Sequence, residues 1–252
     1  LSDRHNGVGG DGVILIGPSD CADAKMTMFN RDGSEGWMCG NGIRCVAKYL
    51  FDNGIVRGTP AGVGRAVMRI EAKSGVKECT VITKNGLCHQ VAVDMGRVSL
   101  EPETVPVKLP GGPVIGRRVE LAGEQREITC CSLGNPHVTL FVSSVDKVDV
   151  EKLGSVIERD PLFPQRVNVG FVEVIDSRTL KARIWERGSG ETMACGTGTC
   201  AAVVAAALNG FCPKGQDIRV LLKGGELKIN YTDERVIMTG EAVKIFDGEV
   251  EV

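Results

Sequence analysis

Short runs of apolar or alternating character recur at residues 13–16, 25–29, 67–72, 79–82 and 90–94, each bounded by Gly, Pro, Asn, Asp or Ser. Such pieces predict strands joined by turns. Prolines and loop residues crowd 99–113, and a second series follows at 128–132, 138–142, 168–174, 180–185, 218–222, 226–231 and 236–239. Three segments keep a helical pattern instead. Ile43, Val46, Ala47 and Leu50 recur every three or four residues, so a helix with one buried face runs to about Asp52 and stops at Asn53-Gly54. Residues 149–158 read as a surface helix, with a proline-bounded loop at 161–164. Residues 200–208 are apolar on every side, so that helix must be enclosed all round, and it is too short to span a bilayer. A curved, mostly antiparallel sheet around each central helix meets both demands. The expected fold class is therefore α/β (α+β) with two pseudo-symmetric domains, 1–90 and 91–241, the stretch 242–252 returning to the first. The numbering opens on Leu1, close to a Gly-rich loop, and the first strands of the N-terminal domain are expected to precede it.

One pattern occurs twice. Met38-Cys39-Gly40-Asn41-Gly42-Ile43-Arg44-Cys45 and Ala194-Cys195-Gly196-Thr197-Gly198-Thr199-Cys200 are both Cys-Gly-x-Gly turns that open a helix-competent run. Asn30-Arg31 begins nine residues before Cys39, and Glu186-Arg187 nine before Cys195, with Gly/Ser-rich loops between. This is a degenerate internal repeat in which each half presents one cysteine at the mouth of one helix. The first N–H groups of a helix lack intrahelical partners and the macrodipole is positive there, so a thiolate is favoured and the thiol's pKa falls. Glycines let the backbone approach a ligand closely. Two such mouths facing each other would hold a small carboxylate between an acid and a base.

Composition narrows the classes. At 252 residues the chain accommodates two domains of similar size, and a net charge of −2 without a like-charge block argues against nucleic acid or an anionic membrane surface as partner. No apolar run is long enough to span a bilayer and no secretory signal is visible. Ten cysteines without small-scaffold spacing read as reduced thiols in a cytosol, and all but Cys39 and Cys195 read as small buried hydrophobes. No metal site is expected, because His5, His89 and His137 are scattered and no Cys-x-x-Cys pair exists. Gly7-Val8-Gly9-Gly10-Asp11-Gly12 precedes a strand instead of opening a helix, which discounts a dinucleotide loop. Gly134-Asn135-Pro136-His137 reads as a turn, where a histidine is more often exposed than catalytic, and Glu186-Arg187 at a strand end is commonly a solvated pair.

Taken in order, Phe29-Asn30-Arg31-Asp32-Gly33-Ser34-Glu35, the Cys39 turn, Gly134-Asn135-Pro136-His137, Asn168-Val169-Gly170-Phe171, and Trp185-Glu186-Arg187-Gly188 leading to the Cys195 turn resemble diaminopimelate epimerase across essentially the whole chain. The resemblance implies an isomerase needing no cofactor and no pyridoxal phosphate. Such an enzyme interconverts LL- and meso-diaminopimelate in lysine and peptidoglycan precursor biosynthesis, in the cytoplasm, or in the plastid stroma if the source is a plant. It implies Cys39 and Cys195 as the catalytic pair, one thiolate removing the α-proton while the opposing thiol donates one. Gly40, Asn41, Gly196 and Thr197 would hold the reacting carboxylate with backbone N–H groups. Asn30, Asn168 and Arg187 would grip the distal amino-acid end, Asn135 would line the site, and His137 and Glu186 would set the cysteine proton states, Glu186 touching substrate as well. The partner implied is the small amino-acid substrate, with neither nucleic acid nor membrane, and a homodimer stays open.

Two rivals are weighed against this. Another two-cysteine racemase, of proline, hydroxyproline or histidine type, would share the mechanism with a different pocket. Asn41, where the proline family usually shows His, and Arg187, a clamp for a second carboxylate, argue against it. A thiol–disulfide redox protein would use Cys39 with Cys45 or Cys195 with Cys200, and neither spacing is the usual one.

Overall fold

The computed structural model describes residues 1–3, 5 and 7–250. The chain divides into two compact units, Leu1–Val93 with Gly240–Val252, and Asp94–Thr239. The first holds β1 (Gly12–Gly17), β2 (Ala24–Asn30), β3 (Glu35–Gly36), α1 (Gly40–Asp52), β4 (Thr59–Pro60), β5 (Arg65–Ala72), β6 (Gly75–Lys84) and β7 (Leu87–Asp94). Its sheet runs β1-β2-β5-β6-β7, with β3 on β2 and β4 on β5. Among the described residues of this unit only the β2–β5 pair is parallel, Ala24 lying opposite Ile70. Asn85 and Gly86 both take positive φ, 55° and 80°, which suits the two-residue turn between β6 and β7.

The second unit holds β8 (Arg117–Leu121), β9 (Glu124–Ser132), β10 (Pro136–Phe141), a 3-10 turn at Val145–Lys147, α2 (Val150–Glu158), β11 (Asn168–Asp176), β12 (Thr179–Glu186), β13 (Gly190–Glu191), α3 (Gly196–Leu208), β14 (Asp217–Leu222), β15 (Gly225–Tyr231) and β16 (Val236–Glu241). Its strand order is β16-β15-β14-β12-β11-β10-β9-β8, with β13 on β12, and the β10–β11 and β12–β14 pairs are parallel. Val138, Leu140, Val150, Ile157, Phe163 and Phe171 pack into one buried cluster on the α2 side. The mixed class with mostly antiparallel sheets is the one the strand and helix patterns predict.

The two central helices obey different packing rules. In α1 the buried apolar residues are Ile43, Val46, Ala47 and Leu50, one stripe turned to β5 and β6. Ile43, Val46 and Leu50 are each no more than 2% exposed, and burying such side chains contributes about 1.5–3 kcal/mol apiece. In α3 the residues from Thr199 to Ala206 are all buried, and β9, β10, β11, β12 and β15 all touch it. Alanine and valine keep that helix slender enough for strands to close around it. Both helices have 13 residues and end alike, with Asn53 and Asn209 each donating a side-chain N–H to the carbonyl four residues back at 2.8 Å, and Gly54 and Gly210 following with positive φ. The repeat read in the cysteine turns thus extends to the far ends of the helices.

Some expectations are corrected. Cys21 and Cys45 are exposed, where small buried hydrophobes were expected, because Cys21 sits in the β1–β2 connection and Cys45 on the outer face of α1. His137 lies inside β10 and is 2% exposed, so the turn stops short of it. β8 is an additional strand. The stretch beyond Glu241 is no such correction: it groups with the first unit, its described residues form no strand, and Val243, Ile245 and Phe246 are exposed; Glu251 and Val252 lie outside the described residues.

Candidate active site

Each of the two repeated cysteines is the N-cap of its helix. Cys39 has φ −129° and ψ 112°, and its Sγ accepts from the Gly42 N–H at 3.3 Å. Cys195 has φ −116° and ψ 112°, and its Sγ accepts from the Gly198 N–H at 3.4 Å. The capping position is normally filled by Ser, Thr, Asp or Asn. A sulfur here takes the role of that oxygen, and it does so better as an anion than as a thiol. Gly40, Asn41, Gly196 and Thr197 form the first turns of these helices, where backbone N–H groups have no intrahelical acceptor.

The second glycine of each turn is tightly packed, so that an added side chain would make its neighbours shift. A Cβ on Gly42 would lie 2.5 Å from Cδ1 of Ile14 and 3.5 Å from the Cys39 Sγ. On Gly198 it would lie 2.6 Å and 3.0 Å from two carbons of Ile184 and 3.2 Å from the Cys195 Sγ. The second glycine of each Cys-Gly-x-Gly turn is therefore set by close packing behind the cap. Arg44, which sequence reasoning left without a role, is buried and reaches back along α1, donating to the Gly40 carbonyl and the Asn41 Oδ1, each at 3.0 Å. It also donates to the Glu241 carbonyl at 3.4 Å. The Asn41 carboxamide is thereby oriented by its own helix. Asn30, at the end of β2, donates from Nδ2 to Ser34 Oγ at 3.0 Å, so its side chain is held in the β2–β3 turn.

In the second unit, sheet topology gathers most of the other residues singled out. β10 and β11 are parallel with His137 opposite Asn168, and β12 runs antiparallel with Trp185 opposite Val169. The start of β10, the start of β11 and the end of β12 therefore share one sheet end, bringing Asn135, His137, Asn168, Glu186 and Arg187 to it. His137 Nε2 lies 2.9 Å from Asn135 Oδ1, Asn135 Nδ2 donates to Thr197 Oγ1 at 3.2 Å, and that hydroxyl lies 3.6 Å from the Cys195 Sγ. Because the Asn135 amide nitrogen faces Thr197, its oxygen accepts from the histidine, placing a proton on Nε2. Burial, with help from the Arg187 cation, pushes His137 down to about 3, so the ring is neutral. Thr197 was expected to act through its backbone, and its hydroxyl is a second contribution. Asn168 Oδ1 accepts from the Arg187 N–H at 2.9 Å, and its Nδ2 donates to the Pro136 carbonyl at 2.8 Å. Glu186 accepts from the Thr192 hydroxyl at 2.5 Å, so the Glu-Arg pair is engaged instead of merely solvated.

Electrostatics modify the helix-mouth expectation at Cys195. Burial and the neighbouring Glu186 carboxylate raise its thiol, outweighing the Gly198 N–H and Thr197 hydroxyl that favour the thiolate. In this arrangement Cys195 carries a proton. Burial also pushes Cys79 and Cys131 up to about 12 and Cys88 and Cys212 up to about 11, which leaves them inert as bases. Among the described residues, no three His, Cys, Asp or Glu side chains gather as a metal-holding group.

The family model described as diaminopimelate epimerase matches residues 1–101 and 129–245. A diaminopimelate epimerase of Acetivibrio thermocellus is 48% identical over 254 residues, which cover 100% of this chain and 88% of that protein. One of Methanococcus maripaludis is 43% identical over 254 residues, with the same coverage of 100% and 88%. Among solved structures, a probable proline racemase from Agrobacterium radiobacter K84 superposes with a TM-score of 0.68 at 17% identity, covering 98% of this chain and 78% of that one, a likeness of fold. With the family model matched over most of its length and relatives this similar over all of it, the chain belongs to the diaminopimelate epimerase family.

Proposed function

We propose that the chain interconverts LL- and meso-diaminopimelate by a two-base mechanism at Cys39 and Cys195, without pyridoxal phosphate, in lysine and peptidoglycan precursor biosynthesis. The observation that carries this reading is the double cap: in a chain of this family, each unit offers one thiol hydrogen-bonded to the third N–H of a glycine-rich helix start. An α-proton is a weak acid, so its removal needs a base at the α-carbon and preorganised donors for the charge that develops on the carboxylate. The first-turn N–H groups of Gly40, Asn41, Gly196 and Thr197 are suited to that second task.

Inversion requires the two sulfurs to reach the α-carbon from opposite faces. One thiolate takes the proton, leaving a carbanion stabilised through the carboxylate. The other thiol gives its proton to the opposite face and becomes the thiolate. The reverse reaction exchanges the roles. The proton on Cys195 fits the donor's part, and Glu186 and the His137–Asn135–Thr197 chain are placed to govern it. Asn30, Asn168 and Arg187 hold the distal ammonium and carboxylate, the guanidinium giving the planar fork that a second carboxylate accepts.

Ten free thiols support a reducing, cytoplasmic setting, and among the described residues no helix is long and apolar enough to cross a membrane. The test incubates the protein with LL-diaminopimelate and no added cofactor and follows the stereoisomers by chiral chromatography, with proline, trans-4-hydroxyproline and histidine in parallel. Formation of meso-diaminopimelate alone is the expected result. Turnover of one of the other amino acids in its place would transfer the mechanism to a different substrate and reject this one.

A further inference from the structure

The loop that carries Glu186 and Arg187 is gripped from a helix to which the sequence assigned no part in the site. Glu158 is the last residue of α2, and its side chain is 3% exposed. Its Oε2 accepts from the Trp185 indole Nε1–H at 2.7 Å, and its Oε1 accepts from the Gly188 backbone N–H at 3.1 Å. Trp185 and Gly188 bracket Glu186 and Arg187. The Arg166 guanidinium lies 3.5 Å from the same Oε1. The segment after α2 adds two further holds on the loop, Gln165 accepting from Arg187 Nη1 at 3.0 Å and Asn168 from Arg187 N at 2.9 Å. The loop itself is a tight turn, closed by Ser189 N donating to the Glu186 carbonyl at 3.0 Å with Gly188 at φ 81°.

The approach of α2 to this strand end is specified as well. A Cβ on Gly154, one turn earlier on the helix, would lie 2.6 Å from both Cβ and Cγ of Trp185. Glycine there lets α2 lie against the indole, and that brings the Glu158 carboxylate within reach of its N–H. A carboxylate is the fitting group, since both neutral donors are N–H groups and each needs an acceptor. A glutamine offers one oxygen and turns an NH2 against the other donor. A buried charge is retained in a fold where it is hydrogen-bonded and paired, and here its partners all belong to the turn or to the chain beside it.

We propose that Glu158 is a positioning residue for this reaction: by holding Trp185 and Gly188 together it fixes the turn that presents Glu186 to the Cys195 region and Arg187 to the distal carboxylate. This inference rests on the two-thiol reading given above. A displacement of about an ångström at a reacting group, even one caused from a distance, slows a reaction by on the order of 100-fold.

The experiment compares Glu158→Gln, Trp185→Phe and Arg187→Met with the full wild-type chain, each checked for folding by thermal melt. Trp185 is one of two tryptophans, so its indole N–H is readily assigned by NMR with the Trp185→Phe variant as reference. Glu158→Gln is expected to move that resonance and to lower kcat/KM for diaminopimelate by roughly 10- to 100-fold, with KM raised and helix content unchanged. Trp185→Phe, which keeps the Gly188 contact, gives a smaller loss of the same kind and serves if Glu158→Gln does not fold. A Glu158→Gln protein with wild-type kcat and KM, beside an Arg187→Met protein with a sharply raised KM, overturns the inference alone. So does an unmoved indole resonance. An Arg187→Met protein with wild-type KM overturns the site reading and this inference together.

Discussion

At the scale of single residues, the sulfur caps and the buried imidazole behave in opposite ways. Cys39 and Cys195 were legible because Cys-Gly-x-Gly occurs twice with matched leaders, and a cap is a local device that sequence can specify. His137 was not, since its burial needs β11 beside it as well as the neighbouring β9, and its β11 partner Asn168 comes from far along the chain. Glu158 was hidden for the same reason, its partners lying 27 and 30 residues away. His137 makes a prediction of its own. Its pKa falls from 6.5 to about 3 on folding, so both states are neutral above 6.5 and the imidazole costs no stability there. As pH drops through 6.5 the unfolded chain takes up a proton that the native state refuses until about 3. Native stability should decline by up to about 1.4 kcal/mol per pH unit from this group within that window. Denaturant melts of wild type and His137→Gln between pH 7 and 5 should therefore converge as pH falls, and a constant gap would contradict the buried neutral ring.

At the scale of elements, helical period gave α1 and α2 nearly to their ends, and turn chemistry marked most strand boundaries. β8 escaped because Arg-Arg-Val-Glu-Leu offers two apolar positions, and it forms on the template of β9. The N-terminus of α3 begins at Gly196, earlier than the apolar run suggests, since the glycines that look like loop are its first turn. This sets up an inverted expectation. Gly→Ala inside a helix ordinarily stabilises by up to about 1 kcal/mol. Gly198→Ala should instead destabilise by about 1–3 kcal/mol, because the methyl meets Ile184 and the Cys195 sulfur. Turnover of the folded fraction should fall further than stability does, as the thiol is pushed off its N–H. A variant as stable and active as wild type, by thermal melt and assay, would show the close packing of the cap to be unimportant.

At the scale of the whole molecule, the duplication is the organising fact. Two units each build a sheet around a 13-residue helix with cysteine at its start and asparagine at its end. The repeat was readable from the cysteine turns, while the crossing points at Val93/Asp94 and Thr239/Gly240 follow from strand partners that no local pattern records. A thiol from each unit is required if inversion proceeds through two bases, whereas a single base would exchange the α-proton and return the same isomer. The most direct measurement follows the α-proton of LL-diaminopimelate by NMR in deuterated buffer, with wild type, Cys39→Ala and Cys195→Ala. The account predicts deuterium at the inverted centre with wild type and loss of inversion by several orders of magnitude in each variant. Inversion surviving at near wild-type rate in either variant would contradict it.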